Sequence, residues 1–145
     1  MSEKSTNAEI RVDVNYANDL ITDIFKAKSC NDHEARTIAQ RLSGSNLVGH
    51  DSHGIARVPR YVEWMERGWV FPNLKPEVVI DAGAMGCLDA KQGFGQVAGE
   101  YAVDDGITRA KKHGVSVVGL RNSGHLGRIG DWAERAADAG LISFH

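Results

Sequence analysis

The sequence predicts an α/β protein of the α+β type, with a mainly helical region over residues 1–72 and a mixed sheet with flanking helices over residues 73–145. Two observations lead to this division. Apolar residues recur at helical spacing in the first region, whereas short strand-like runs alternate with helical segments in the second. Pro72 and Pro76 separate the two patterns, as prolines commonly do in linkers.

The first region is expected to contain a short strand followed by three helices. The alternation I-R-V-D-V predicts the strand, and polar residues that precede apolar stripes predict the helix caps. Because a proline is tolerated only in the first turn of a helix, Pro59 places the start of the third helix near Val58, after an irregular segment. In order, the elements are a strand over residues 10–14, a helix from the cap Asn15 to Lys28, a helix from Asn31 or Asp32 to Leu47, and a helix from Val58 to Gly68.

The second region is expected to begin with a β-hairpin and to continue as helix, strand, helix and strand. The hairpin turns at A-G-A-M-G, and Gly114 and Gly140 end the two helices. The final strand has no turn or polar tail after it, so we expect the chain to be an incomplete part of a longer α/β domain. In order, the elements cover residues 77–81, 87–90, 96–112, 115–120, 131–139 and 141–144.

Composition places the chain among ordinary globular proteins and excludes several functional classes. Of its 145 residues, 42% are hydrophobic and 25% are charged, with a formal net charge of −2. No basic block is present, so we expect no nucleic-acid partner. No apolar run is long enough to cross a bilayer and the first residues carry no signal-peptide pattern, so we expect no membrane association and a cytoplasmic location. Cys30 and Cys87 form no pair at zinc or redox spacing.

One glycine-rich segment, G-F-G-Q-V-A at residues 93–98, fits the loose dinucleotide-binding fingerprint G-x-G-x-x-G/A. The strand before it is short and polar, and the next strand ends in Leu120, Arg121 and Asn122 instead of the acidic residue that would hold a ribose. Two interpretations stay open. The segment is either the phosphate cradle of a Rossmann domain or a simple tight turn, and these neighbours favour the turn.

A polar loop with the sequence G-H-D-S-H-G interrupts the helical pattern before the third helix. We expect Ser52 and His53 to donate hydrogen bonds into a cleft, because the loop has no core-like apolar period. Arg57 and Tyr61 follow on one helical face, and the planar guanidinium of Arg57 suits bidentate capture of a carboxylate, although a solvated surface arginine is the alternative. We expect no metal site, since His50 and His53 do not lie on a regular helix.

A second polar segment, N-S-G-H-L-G-R-I-G, contains His125 between Gly124 and Gly127. It follows a buried strand, and ligands of α/β proteins usually bind at the carboxyl ends of strands. Since an imidazole titrates near neutral pH, His125 can act as a general acid or base toward a substrate oxygen. A loop histidine bonded to backbone is the alternative that these residues alone leave open.

Together, the segments H-D-S-H-G-I with R-x-x-x-Y, F-G-Q-V-A, and N-S-x-H-x-G-R-I-G-x-W-A-E resemble the malate/L-lactate/ureidoglycolate dehydrogenase family. Within it, the chain is most similar to the bacterial hydroxycarboxylate dehydrogenases that reduce 2-oxo acids. The resemblance runs from about residue 14 to residue 145 and keeps the order and spacing of the motifs. It implies an NAD(P)-dependent oxidoreductase with a non-Rossmann fold, usually a homodimer.

The resemblance also implies the roles of individual residues. The histidine that matches His125 is the acid/base, and the residues that match Ser52 and His53 line the active site. Those that match Arg57 and Tyr61 contact the substrate, a 2-oxo or 2-hydroxy acid such as malate or lactate. The implied cofactor is NAD or NADP. Relatives are more than twice as long, so most cofactor contacts are expected from residues outside this chain.

Two functional hypotheses follow from these observations. In the first, the chain is the N-terminal portion of an oxidoreductase that transfers a hydride between NAD(P)H and a 2-oxo acid. In the second, it is an inactive truncated remnant or a dimerisation module that keeps the site without its cofactor half. Saturable binding of NADH or NADPH by this chain distinguishes them, because it contradicts the second hypothesis.

Overall fold

The computed structural model describes residues 11–145. Within this range the chain forms five α-helices and three β-strands. In order they are α1 (Val14–Ala27), α2 (Asp32–Leu47), α3 (Val58–Glu66), β1 (Glu77–Ala82), β2 (Met85–Asp89), α4 (Gly95–His113), β3 (Val117–Arg121) and α5 (Gly130–Asp138). None of these helices is long and apolar enough to cross a membrane.

The first two helices begin where a polar side chain accepts the free backbone N–H groups of the first turn. Asp13 caps α1 by accepting from the N–H groups of Asn15 and Tyr16, so the prediction that Asn15 is the cap is wrong. A carboxylate is favoured at this position because its charge also interacts with the helix dipole. Asn31 caps α2 by accepting from the N–H of Glu34, which confirms one of the two predicted caps.

The irregular approach to α3 is also confirmed. The helix begins at Val58 with Pro59 in its first turn, where the missing N–H of a proline has no helical partner to lose. Two short 3₁₀ turns, Asp51–His53 and Ile55–Arg57, precede it. The polar loop therefore lies between the end of α2 and the start of α3.

One apolar core joins the three N-terminal helices to the start of α4. Phe25 of α1, Leu42 of α2 and Tyr61 of α3 are buried in it. Phe94, which immediately precedes α4, packs edge-on against Phe25 with 5.7 Å between the ring centroids. Burying side chains of this size contributes roughly 1.5–3 kcal/mol each. The core contains residues from both predicted regions, and the boundary at residue 72 stays a prediction.

The sheet is mixed, as predicted, with the strand order β1-β2-β3. β1 and β2 form the antiparallel hairpin, and Gly83 at its turn has a φ of 69°, in the left-handed region that favours glycine. β2 and β3 are parallel, and α4 provides the crossover between them. The carboxyl ends of β2 and β3 therefore meet at one edge, where the chain continues into the segments around residues 93 and 125.

Two predicted strands are wrong. Of the strand predicted over residues 10–14, residue 10 lies outside the described range, Val12 and Asp13 have irregular backbone, and Val14 begins α1. The segment 141–144 has no regular structure and pairs with neither edge of the sheet. Ile142 and Phe144 in it are 93% and 96% exposed. A strand needs a neighbour for its N–H and C=O groups, and the apolar pattern of this segment does not provide one.

Candidate active site

Two loops that are far apart in the sequence meet in space. The loop before α3 carries His53, and the loop after β3 carries His125. Their imidazole rings stack with 5.1 Å between centroids and 28° between planes. The ring of His50 lies edge-on to that of His53, with 4.5 Å between centroids. The structure thus brings together the two polar segments that the sequence singled out.

The side chain of Asn46, near the end of α2, organises the first loop. Its amide oxygen accepts the N–H of Ile55 at 2.8 Å, and its amide nitrogen donates to the carboxylate of Asp51 at 2.5 Å. Gly54 lies so close to this amide that a Cβ at residue 54 would overlap it. These contacts hold the loop in two tight turns and leave the side chain of His53 half-buried at its surface.

Ser52, His53 and Arg57 form one connected group on this loop. Ser52 Oγ lies 2.9 Å from His53 Nδ1, and Arg57 Nε donates to the carbonyl oxygen of Ser52 at 2.6 Å. Among the described residues, the Arg57 side chain makes a hydrogen bond only to Ser52 and only through Nε. Its two terminal nitrogens therefore remain available to a ligand. A guanidinium anchored in this way presents the planar fork that binds a carboxylate.

The second loop is docked by its backbone against the start of α4. The N–H of Gly124 donates to the carbonyl oxygen of Gly93 at 2.9 Å. A Cβ at Gly95 would overlap the carbonyl oxygens of both Gly124 and His125. Only glycine at residue 95 allows the two backbones to approach this closely, so the position of His125 depends on that residue.

This docking decides between the two interpretations of the segment G-F-G-Q-V-A. The backbone of the second loop occupies the space at Gly95, beside the N-terminus of α4, where a pyrophosphate would have to bind. The sheet also departs from a Rossmann domain, because β1 and β2 are antiparallel. The Rossmann interpretation is therefore wrong, and the glycines of this segment serve to dock the loop that carries His125.

A buried tyrosine contacts the Nδ1 atom of His125. The Tyr61 hydroxyl lies 2.9 Å from His125 Nδ1, and Gln96 Nε2 donates to the hydroxyl oxygen of Tyr61 at 2.6 Å. The N–H of Gly127 also donates to His125 Nδ1, at 3.3 Å. A nitrogen that accepts from Gly127 carries no proton, so in this arrangement Tyr61 donates and the proton of the neutral ring lies on Nε2. The resemblance implied that Tyr61 contacts the substrate, but in this structure Tyr61 is 1% exposed and its hydroxyl contacts Gln96 and His125 instead.

Burial and neighbouring positive charge favour the neutral forms of the imidazoles. Burial lowers the pKa of His125 below its ordinary value of 6.5, and Arg57 and His53 lower it further. Burial also lowers the pKa of His53, with added contributions from His50 and Arg57. The pKa of the Tyr61 hydroxyl is raised by burial, which keeps this group protonated. An anion bound close to these rings would favour their charged forms and raise both histidine pKa values.

A cavity of about 480 Å³ opens beside His53, a volume in the range of small-molecule sites. Its wall includes Arg128, whose guanidinium is engaged by the carboxylates of Asp131 and Glu134. Neither His125 nor Arg57 is part of its wall, and its arginine is already paired with carboxylates and does not favour a phosphate chain. Within residues 11–145, no group of three or more His, Cys, Asp or Glu side chains is arranged to hold a metal ion.

Two residues that organise the site, Asn46 and Gln96, were not identified from the sequence. Both are polar residues among apolar helix positions: Asn46 continues the stripe of α2 four residues after Leu42, and Gln96 is 0% exposed in the first turn of α4. A polar side chain at such a position indicates a hydrogen-bond partner, since burying it alone costs free energy. That signal is present in the sequence, but the identity of the partner is not.

Comparison with known proteins places this chain in a family. Residues 12–145 match the sequence profile described as malate/L-lactate dehydrogenase. The chain is 42% identical over 135 residues to hydroxycarboxylate dehydrogenase B of Escherichia coli (strain K12), a match that covers 93% of this chain and 37% of that protein. It is 33% identical over 133 residues to the L-lactate dehydrogenase of Cupriavidus necator, covering 92% of this chain and 38% of that protein.

A solved structure shows the same fold. The malate dehydrogenase of Pyrococcus horikoshii OT3 is similar to this chain with a TM-score of 0.87 at 32% identity, and the match covers 97% of this chain and 41% of that chain. The chain therefore spans less than half the length of the relatives that it matches.

Proposed function

The chain belongs to the malate/L-lactate dehydrogenase family, and we propose that it provides the acid/base and substrate-binding side of an NAD(P)-dependent oxidoreductase. The reaction transfers a hydride between NAD(P)H and the C2 carbon of a 2-oxo acid, or in reverse from a 2-hydroxy acid. The similar proteins are named for hydroxycarboxylate, L-lactate and malate, so we propose one of these acids or a related one as the substrate.

The observation that supports this proposal best is the stacking of His125 on His53, on the loop that also carries Arg57. A 2-oxo acid has two requirements in such a reaction. Its carboxylate needs a positive partner, and its carbonyl oxygen needs a proton as the hydride arrives at carbon. A guanidinium with free terminal nitrogens and a neighbouring imidazole supply both.

Each residue then has a distinct role. The terminal nitrogens of Arg57 bind the carboxylate. Ser52 and His53, with His53 in the charged form that a bound anion favours, donate hydrogen bonds to the oxygen on which negative charge develops. His125 gives that oxygen a proton in reduction and takes one in oxidation. The nicotinamide cofactor, when bound, supplies or accepts the hydride. Tyr61 acts through His125, since its buried hydroxyl contacts that ring.

We propose that the nicotinamide ring binds near His53, whereas Arg128 in the cavity wall is paired and α4 does not present a free N-terminus to a phosphate. We therefore propose that residues outside this chain hold the pyrophosphate. A cofactor that is NAD or NADP, a homodimeric assembly and a cytoplasmic location are further proposals, which rest on the resemblance of the motifs to those of this family.

The test of the proposed site is a titration of the 145-residue chain with oxamate, an unreactive isostere of a 2-oxo acid, followed by NMR of the histidine and arginine side chains. We expect saturable shifts at His125 and Arg57. Arg57→Met should weaken binding by about tenfold or more, because an ion pair of this kind contributes roughly 1.5–3 kcal/mol. Arg60→Met is the matched control, since Arg60 is exposed and pairs with Glu63. Equal losses in both variants, or no saturable binding, would contradict the proposal.

A second titration tests the alternative hypothesis against the proposed function. In the alternative, the chain is a remnant or dimerisation module that lacks its cofactor half. Nicotinamide fluorescence is followed as NADH or NADPH is added to the chain, first alone and then with oxamate. Saturable binding excludes the alternative. If oxamate binds but neither nucleotide does, the acid side of the proposal stands and the cofactor side belongs entirely to other residues.

A further inference from the structure

Gln96 is the residue of the site that the proposed mechanism does not use, although it is completely buried. Its Nε2 donates to the Tyr61 hydroxyl, while its Oε1 is buried and has no hydrogen-bond partner within the described residues. An unsatisfied buried oxygen costs roughly 1–3 kcal/mol, so its retention in a packed core calls for a reason.

The reason lies in the two protonation states that an acid/base histidine must pass through. In the arrangement seen here Nδ1 accepts from Tyr61 and Gly127, so Nε2 carries the proton of the neutral ring. For His125 to take a proton through Nε2, that nitrogen must be bare and Nδ1 must carry the proton instead. Nδ1 is then a donor, so the Tyr61 oxygen has to accept from it and the 3.3 Å hydrogen bond from the Gly127 N–H to Nδ1 is lost.

When Tyr61 accepts from Nδ1, its own hydroxyl proton needs a new acceptor. A half-turn of the Gln96 amide exchanges Oε1 and Nε2 and places Oε1 at the position from which Nε2 now donates, 2.6 Å from the Tyr61 oxygen. The chain of hydrogen bonds then runs from Nδ1–H to the Tyr61 oxygen and from the Tyr61 hydroxyl to Oε1. Because an amide offers both a donor and an acceptor, Gln96 satisfies Tyr61 in either direction.

We propose that Gln96 is a positioning residue whose amide reverses and, through the Tyr61 hydroxyl, determines which ring nitrogen of His125 carries the proton. The inference rests on the proposed function, since it assumes that His125 is the acid/base. In reduction, the imidazolium carries protons on both nitrogens and gives the Nε2 proton to the carbonyl oxygen. This leaves a neutral ring protonated at Nδ1, and solvent returns the proton to Nε2.

Nitrogen NMR of the histidine rings in the 145-residue chain tests the proposal at pH 9 without substrate, where the neutral tautomers are compared directly. In the unsubstituted chain we expect the Nδ1 signal of His125 to lie between the protonated and unprotonated extremes. Gln96→Met removes the acceptor and should move the signal toward the unprotonated extreme. Gln96→Glu, an acceptor only, should move it toward the protonated extreme.

Two controls separate the relay from simpler effects. In a Tyr61→Phe background, Gln96→Glu should no longer move the Nδ1 signal, because the relay passes through the hydroxyl. Gln40→Glu adds the same charge to an exposed position of α2 and should leave His125 unchanged. The ring signals of His33 serve as an internal reference.

Three outcomes would overturn the proposal. In the first, the Nδ1 signals of His125 in the unsubstituted chain and in Gln96→Met coincide. In the second, Gln96→Glu moves the Nδ1 signal in the same direction as Gln96→Met does. In the third, Gln96→Glu still moves the signal when the Tyr61 hydroxyl is absent. If one glutamine variant fails to fold, the other still tests one direction of the relay. The oxamate titration is independent of this result, so failure of the relay and failure of the proposed function are distinguishable.

Discussion

The two loops that form the site are held in different ways. The loop before α3 is held by hydrogen bonds from side chains, those of the Asn46 amide and that of Arg57 to the Ser52 carbonyl oxygen, and its polar residues are exposed or half-buried. The loop after β3 is held by backbone contact at Gly95 and by the buried Tyr61 behind His125. The side of the site that we propose binds the carboxylate therefore depends on a partly exposed hydrogen-bond network, whereas the side that we propose transfers the proton depends on close packing.

This difference agrees with the roles that we propose, carboxylate binding by the first loop and proton transfer by the second. A proton moves only between atoms within hydrogen-bond reach, so the group that transfers it needs a tightly held position. A guanidinium on a long side chain tolerates more variation in how it meets a carboxylate.

The largest effect is expected at the second loop. Gly95→Ala places a methyl group against the carbonyl oxygens of Gly124 and His125, and backbone cannot move aside as a flexible side chain can. We expect a loss of about 3 kcal/mol in the free energy of unfolding, measured with urea. Gly44→Ala is the matched control, because Gly44 lies inside α2 with open space at its Cβ position, and it should gain about 0.5–1 kcal/mol. Similar losses in both variants would show that Gly95 is not a docking point.

A smaller effect is expected at the first loop. Asn46→Ala removes the acceptor for the Ile55 N–H and the donor to Asp51, and should reduce the free energy of unfolding by about 1–2 kcal/mol. Hydrogen exchange at the Ile55 amide should accelerate while exchange at the Gly124 amide should not, since the second loop has its own contacts. Asn15→Ala, on the exposed surface of α1, is the control and should change stability by less than about 0.5 kcal/mol. Acceleration at both amides would mean that the loops are held as one unit.

The smallest effect is the dependence of stability on pH. The folded-state pKa values of His53 and His125 both lie below the ordinary 6.5, so the unfolded chain binds more protons once the pH falls through that value. Stability should therefore be fully present above about pH 6.5 and should fall as the pH decreases toward the folded-state values.

Single substitutions assign this pH dependence to the two loops. His125→Asn and His53→Asn should each reduce the slope of unfolding free energy against pH, and the reduction should be larger for His125, whose ring is more deeply buried. The measurement is urea unfolding at a series of pH values for each variant. An unchanged slope in both variants would show that neither ring is held in its neutral form by the fold.

Local features of the fold follow from the sequence because they depend on neighbouring residues. The apolar stripe and cap of α2, the start of α3 at Pro59 and the hairpin turn at Gly83 are each set by contacts within a few residues. The cap of α1 was misplaced because Asp13 and Asn15 are both good capping residues, and only the folded backbone distinguishes them. The segment 141–144 was misassigned because an apolar run does not contain its own partner strand.

The sequence by itself singled out the polar segments and predicted the five candidate side chains and the chemistry that their groups can perform. Tertiary structure decided which of them lie together, because the decisive contacts join residues that are distant along the chain. Tyr61 and His125 are 64 positions apart, and nothing local to either predicts that one supports the other. The role of Gly95 likewise depends on the backbone of another loop. Its glycine pattern is typical of phosphate binding, but in the folded chain Gly95 contacts the loop that carries His125.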